Sequence, residues 1–265
     1  MDVAGKNVVV TGGGSGIGRA LSRRFAADGA SVTVADVNGA GARATAELVT
    51  GTGGTAIAVE CDVRDERQVQ GLVSTAQQAL GPIDLFCSNA GVAGGGGPEA
   101  PDRRWAEAWE VNFLGHLYAV RAVLPAMLER GQGYLLHTSS AAGLLTTLGD
   151  APYAVSKHAV VAFAEWLSIT YGDQGIVVSV LCPQGVNTAM LAGAAEHAAG
   201  QQVMQVADVL EPEQVAQVVV DGLADERFLI LPHPEVLEYF QRKANDYDRW
   251  LRGMRRLQAR IDSSQ

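Results

Sequence analysis

Tyr153 and Lys157 stand four residues apart in the stretch APYAVSK, residues 151–157. At that spacing two side chains share one face of a helix. Pro152 suits a first helical turn, where its missing N–H costs little. The pattern therefore predicts Tyr153 at a helix start, with Lys157 one turn further on. A free phenol has a pKa of about 10 and is a poor base at neutral pH. A neighbouring ammonium favours the phenolate and lowers that value. The pair is either an acid–base couple or two ordinary helix neighbours, and spacing permits both.

A second stretch suits phosphate chemistry. VVVTGGGSGIGRAL ends an apolar run, turns on glycines and opens a helical pattern, with Gly12, Gly16 and Gly18 in GxxxGxG spacing. Glycine admits positive φ and close backbone approach. The following helix N-terminus offers free N–H groups to a pyrophosphate. Asp36 closes the next apolar run, 18 residues after Gly18. A carboxylate there accepts from adenosine ribose hydroxyls and repels a 2′-phosphate. Ser15 and Val37 supply no cation nearby. These residues favour NAD(H) over NADP(H), against the plainer reading of Asp36 as a strand-end turn residue.

Positioning such groups requires a scaffold, and the apolar pattern supplies one. Strands are expected at 7–12, 31–36, 55–62, 83–91, 134–140, 176–183 and 227–232. Helices are expected from Gly16 to Asp28 and near 66–80, 103–130, 153–172 and 212–224. Short apolar strands alternating with helices indicate an α/β fold, a parallel sheet covered on both faces. The chain has 265 residues, 48% of them hydrophobic, which suffices for one large core and a single domain over 1–265. No repeat, linker or low-complexity block interrupts it, and the glycine-rich stretch 93–98 reads as a loop.

The net charge of −9 argues against nucleic acid and against anionic membranes. Cys61, Cys87 and Cys182 form no CxxC pair and are odd in number, so buried reduced thiols are expected, with neither disulfides nor a metal site. The N-terminus lacks a signal-peptide pattern, and no stretch reads as a membrane span. A soluble, cytoplasmic protein is the expectation. Residues 185–211, small and apolar, read as a substrate flap. The tail, 234–265, reads as one long amphipathic helix to about residue 261, basic at its end, packed on its own subunit or on a neighbour.

Taken in order, TGGGSGIG, Asp36, CDV (61–63), NAG (89–91), VNFLG (111–115), the serines 139–140 and YAVSK (153–157) resemble the short-chain dehydrogenase/reductase family over roughly residues 3 to 232. The resemblance implies a Rossmann-type, doubly wound three-layer α/β/α fold. It implies Tyr153 as general acid/base, with Lys157 holding the nicotinamide ribose and lowering the Tyr153 pKa. Ser140 matches the serine that bonds the substrate oxygen. Asn112 matches an asparagine that kinks a helix and passes protons through water to the lysine. The cofactor would meet Gly12, Ser15, Gly16, Ile17, Gly18, Asp36, Asp62, Val63, Asn89, Ala90, Gly91, Tyr153, Lys157, Pro183, Val186 and Thr188. Homotetramers or dimers are usual for the family, with the helices near 103–130 and 153–172 at an interface.

The chain departs from the family pattern at Gln184, where glycine is usual after Pro183, and at Ser88, where asparagine is usual before Asn89. Gln184 either lines the substrate site or points to solvent. Leu144, Leu145, Leu148, Gln184, Met190 and Leu191 are the pocket candidates, although each leucine suits a core equally. None is a cation, so a hydrophobic secondary alcohol or its ketone is expected in place of an acidic substrate. Two alternatives stand beside the NAD-dependent alcohol dehydrogenase or carbonyl reductase. One is a non-catalytic NAD-binding regulator on the same fold, and the other is an acyl ketoreductase. The tail is also a candidate to close a neighbour's site.

Overall fold

The computed structural model describes residues 1–194 and 208–263. Among them, seven parallel strands form one sheet: β1 (Asn7–Thr11), β2 (Ser31–Asp36), β3 (Thr55–Glu60), β4 (Leu85–Ser88), β5 (Gly133–Thr138), β6 (Ile176–Leu181) and β7 (Leu229–Ile230). Their spatial order is β3-β2-β1-β4-β5-β6-β7. This is the doubly wound, Rossmann-type α/β arrangement that the apolar pattern indicates.

Successive strand residues point to opposite faces, and here both faces are dry. Val8 and Val10 enter one core layer with Leu21, Phe25 and Val219. Val9 enters the other with Leu72, Met127 and Leu167. That two-sided burial is why the strands read as continuous apolar runs. The chain winds outward from β1 to β3, then crosses to β4 on the other side. The reversal opens a crevice at the carboxyl ends of β1 and β4, where such sheets bind ligands.

Helices cover both faces: α1 (Gly16–Ala27), α2 (Gly39–Gly51), α3 (Glu66–Leu80), α4 (Asp102–Trp109), α5 (Gly115–Arg130), α6 (Ala142–Leu145), α7 (Ala151–Tyr171), α8 (Ala189–Ala194), α9 (Pro212–Ala224), α10 (Glu235–Asn245) and α11 (Tyr247–Asp262). The sequence pattern misses α2. Its segment, GAGARATAELVTG, has only Leu48 and Val49 as large apolar residues, so periodicity is faint. Asn38 caps it by accepting from the Gly41 N–H. Strands end earlier than their apolar runs. β4 stops at Ser88 because Asn89 leaves the ladder to bond across to Thr11.

The tail is two helices, not one. Asp246 breaks it and caps the second by accepting from the Arg249 N–H. The run Asp102–Arg130 is long and apolar enough by composition to cross a membrane, contrary to the sequence reading. Its apolar residues serve the core here, with Ala119, Val120, Val123 and Met127 buried against the sheet layer. All three cysteines are free and buried. Of the expected flap, 185–211, residues 195–207 lie outside the described residues. The rest holds α8 and a bridge between Val186 and Leu210.

Candidate active site

The crevice is a cavity of about 710 Å³. Its nucleotide end is the turn from β1 into α1. Gly12 has φ +65°, and a Cβ there would lie 2.9 Å from Ala90 Cα. A Cβ at Gly18 would run into the Gly12 carbonyl. Both positions therefore require glycine. Ser15 begins α1 in an extended conformation and makes no side-chain cap. The first-turn N–H groups at Gly16, Ile17 and Gly18 thus line the cavity without a side-chain acceptor from their own cap. That is the donor array a pyrophosphate needs.

Asp36 ends β2 on the same wall. Its Oδ2 accepts from the Gly14 N–H at 2.9 Å and its Oδ1 from the Asn38 N–H at 2.8 Å. Each carboxylate oxygen takes two donors, so acceptor capacity remains for a vicinal diol. Asp62 and Val63 also line this end. Arg64 grips Asp62 at 2.6 Å and holds its carboxyl below the usual range. The residues therefore fit a dinucleotide by donor set, by glycine cradle and by carboxylate.

The loop after β4 is held by a side chain that the sequence did not single out. Thr11 Oγ1 accepts from the Asn89 and Ala90 N–H groups at 2.9 and 3.2 Å. Asn89 in turn donates to the Thr11 carbonyl and accepts from Thr138 Oγ1. Ser88 in place of the usual asparagine leaves this anchorage intact.

At the other end, Ser140, Tyr153 and Lys157 converge from β5 and α7. Asp150 caps α7 by accepting from the Tyr153 N–H at 3.0 Å, with Pro152 in the first turn. Asp150 also holds the Gly94 N–H, tying the glycine-rich loop to the same helix start. Ser140 Oγ accepts from the Ala142 N–H at 3.1 Å and donates to the Pro183 carbonyl at 3.4 Å, close enough to the Tyr153 phenol to lower its proton affinity. Lys157 is buried, and its Nζ donates to the Thr138 carbonyl at 2.9 Å. Ser139 Oγ donates to the Lys157 carbonyl, a strand-end role.

Asn112 sits in a π-helical turn, Glu110–Leu114, between α4 and α5. It does not line the cavity. Its Nδ2 donates to the Val92 carbonyl and to Ser156 Oγ, both at 3.0 Å. Its Oδ1 accepts from the Val92 N–H at 2.8 Å. It lies behind Lys157: a Cβ built at Gly91 would be 3.3 Å from both Asn112 Oδ1 and Lys157 Nζ.

Burial sets the proton affinities here. It pushes the Tyr153 phenol up to about 12, opposed by the Ser140 hydroxyl and reinforced by Asp150. It pulls Lys157 down to about 8. The lowering of Tyr153 by Lys157 expected from their spacing is absent. Lys157 Nζ lies 5.7 Å from the Tyr153 ring centroid, turned to a backbone carbonyl, and is itself desolvated.

The substrate end contains Leu145, Gln184, Met190 and Leu191, with Pro183, Val186 and Thr188 beside them. Gln184 therefore faces the cavity. Leu144 instead enters the core, and Leu148 does not reach the lining. His233, missed in the sequence, positions this loop. Its Nδ1 accepts from the Gln184 N–H at 3.1 Å, so Nε2 carries the proton toward the Gly185 and Asp208 carbonyls. The tail supplies further lining: Tyr239, Arg242, Trp250, Met254, Leu257 and Arg260. It thus walls its own subunit's cavity and adds Arg242 and Arg260 to the lining, whereas the six pocket candidates read from the sequence include no cation.

A family model described as short chain dehydrogenase matches residues 6–219. The chain is 40% identical to the 1-deoxy-11-beta-hydroxypentalenate dehydrogenase of Streptomyces exfoliatus, over 89% of this chain and 86% of that one. It is 35% identical to the 2,5-dichloro-2,5-cyclohexadiene-1,4-diol dehydrogenase of Sphingobium indicum, over 84% and 92%. A short chain dehydrogenase/reductase from Burkholderia phymatum, solved in complex with NAD, superposes with a TM-score of 0.87 at 32% identity, covering 94% of this chain and 96% of that one. With the glycine turn, the Ser140–Tyr153–Lys157 cluster and these likenesses together, the chain belongs to the short-chain dehydrogenase/reductase family, whose members are oxidoreductases.

Proposed function

We propose that this chain is an NAD(H)-linked dehydrogenase that interconverts a hydrophobic, cyclic secondary alcohol and its ketone. The observation that carries the reading is the meeting of Ser140, Tyr153 and Lys157 on one wall of a cavity whose far end is the glycine turn and Asp36. The curated relatives act, by their names, on alcohols of cyclic compounds. Asp36, with no cation at Ser15 or Val37, favours NAD(H).

In this reading a bound nicotinamide supplies or takes the hydride. Ser140 Oγ holds the substrate oxygen and stabilises charge growing on it. The Tyr153 hydroxyl, beside Ser140, gives its proton to that oxygen in reduction and takes it back in oxidation. A phenol kept neutral by burial is ready to act as the acid. Lys157 holds the ribose and restrains Tyr153, and Asn112 fixes the backbone behind it. A cytoplasmic setting agrees with three free buried cysteines. A second copy of the chain would cover the exposed Trp109, Val155, Trp166 and Ile169 of α4 and α7.

The test is absorbance at the NADH band with a panel of cyclic alcohols and ketones, run with NAD(H) and NADP(H). Turnover with NAD(H), lost in Tyr153→Phe, supports the reading. Turnover unchanged in Tyr153→Phe, or confined to NADP(H), overturns it.

A further inference from the structure

Thr146, the residue after α6, has φ +68° and ψ 178°. That corner of backbone space is nearly reserved for glycine, and a β-branched side chain there is strained. Both flanks hold it. The Leu145 and Thr146 N–H groups donate to the Ala141 and Ala142 carbonyls. Lys243 Nζ donates to the Leu144 carbonyl at 2.6 Å. A Cβ at Gly143 would lie 2.4 Å from Ser139 Oγ, so α6 has no room to shift. On the far side, the Gly149 carbonyl accepts from the Gly96 N–H, and Asp150 caps α7. Glycine at 146 would take the same turn without strain, so the threonine side chain calls for a use.

Thr146 lines the cavity next to Leu145, at the substrate end. Its hydroxyl makes no hydrogen bond among the described residues and is not buried, so it is open to a ligand. Leu145, Met190 and Leu191 make this end largely apolar, with Gln184 as a further uncharged polar side chain. Apolar pockets orient their ligands through a few placed polar groups of this kind. A hydroxyl both donates and accepts. It can donate to a carbonyl oxygen or accept from a hydroxyl, and neither partner needs a charge.

We propose that Thr146 is a specificity-determining residue whose hydroxyl bonds a second, uncharged oxygen on the substrate ring, so that the substrates are cyclic diols and the hydroxyketones made from them. This deepens the dehydrogenase reading and rests on it for the chemistry at Ser140 and Tyr153. Oxidation takes one carbinol of the diol to the ketone, its hydride passing to the nicotinamide and its hydroxyl proton to Tyr153. The second carbinol is unchanged and serves as the handle. A site built to bond a substrate hydroxyl discriminates strongly against an analogue that lacks it, because the site's own polar group is then covered and left unpaired.

The experiment measures reduction by NADH of 2-hydroxycyclohexanone, 4-hydroxycyclohexanone and a hydroxydecalone, each paired with the ketone that carries methyl in place of hydroxyl. Binding of the same ketones is titrated by NMR on Tyr153→Phe saturated with NADH, where the reaction reading predicts no turnover. At least one hydroxyketone is expected to exceed its methyl partner by about tenfold in kcat/KM and in affinity. Thr146→Val keeps the branched shape and should bring that preference below about threefold, through KM with kcat kept. Thr146→Ser keeps the hydroxyl and should keep the preference. Thr146→Gly should melt no lower than wild type, because the strain is relieved. Unchanged NADH binding shows that the variants are folded. Absence of any hydroxyl preference, its survival in Thr146→Val, or a Thr146→Gly protein that melts several degrees lower overturns the proposal. Equal reduction of both ketones in every pair leaves the reaction reading standing without it. Hydroxyketone binding that depends on Thr146, with no ketone reduced by wild type, leaves the Thr146 site standing and removes the reaction reading.

Discussion

Tyr153 and Lys157 lie side by side, and burial drives their proton affinities apart, to about 12 and about 8. Both shifts favour the neutral forms. Lys157 is depressed in the folded state, so the unfolded chain holds more protons between pH 8 and 10.5. Folding therefore gains stability from this group as pH rises through that window, and below pH 8 its full burial cost is present. Lys157→Met should be inactive but more stable than wild type at pH 7, by on the order of 2 kcal/mol once the lost Thr138 hydrogen bond is counted. Chemical denaturation at pH 7 and pH 10 checks this, and the advantage should shrink at the higher pH. Tyr153→Phe should lower kcat by about a thousandfold while leaving NADH binding intact; stopped-flow and fluorescence titration separate the two. Asp36→Ser should move the NADP(H)/NAD(H) preference by at least about tenfold, near 1.4 kcal/mol, read from kcat/KM with each cofactor. These residues were singled out because the ordered motifs around them resemble the family; type and spacing alone left Tyr153 and Lys157 as an acid–base couple or two helix neighbours. Thr11 and His233 were not singled out. Each is a common residue whose role exists only when β1 meets the β4 loop, or when the 232–234 turn folds onto Gln184.

The elements that place these groups differ in how plainly they announce themselves. β1 and β2 are nearly continuous apolar runs, and α7 is a long apolar helix opened by the Asp150 cap and Pro152. α2 is weakly amphipathic, and the tail's stripe runs unbroken through Asp246, so neither α2 nor the break could be read from spacing. What spacing also could not give is that the tail returns to its own cavity, a long-range contact made by Lys243 on the Leu144 carbonyl. Lys243→Met removes that bond from a side chain that is 8% exposed and should loosen α10 and α11. The measurable result is faster hydrogen exchange in residues 235–262, with KM raised several-fold and kcat little changed. Exchange confined to wild-type levels would mean that the helices are held by Val236 and Ile261 alone.

For the whole molecule, acid stability depends on a pair remote from the surface. His116 and His137 stack with their Nδ1 atoms 3.0 Å apart, and burial holds both below their usual range, His137 at about 4. The unfolded chain therefore binds more protons between pH 6.5 and 4, so stability should fall across that window by on the order of 3 kcal/mol from His137 alone. Urea titrations at pH 7 and pH 4.5 would show it, and His116→Phe/His137→Phe should flatten the decline. The apolar face of α4 and α7 should bury against a second copy, so Ile169→Lys, at a position 84% exposed, should reduce the mass seen by light scattering. The central claim is that hydride passes between nicotinamide and a carbinol carbon while Tyr153 handles the proton. The most direct measurement gives cyclic ketones NADH dideuterated at C4 in ordinary water and locates the label in the product by NMR. The account requires one deuterium on the carbinol carbon from wild type and no product from Tyr153→Phe. Product carrying hydrogen there instead, or labelled product from the variant at the wild-type rate, would contradict it.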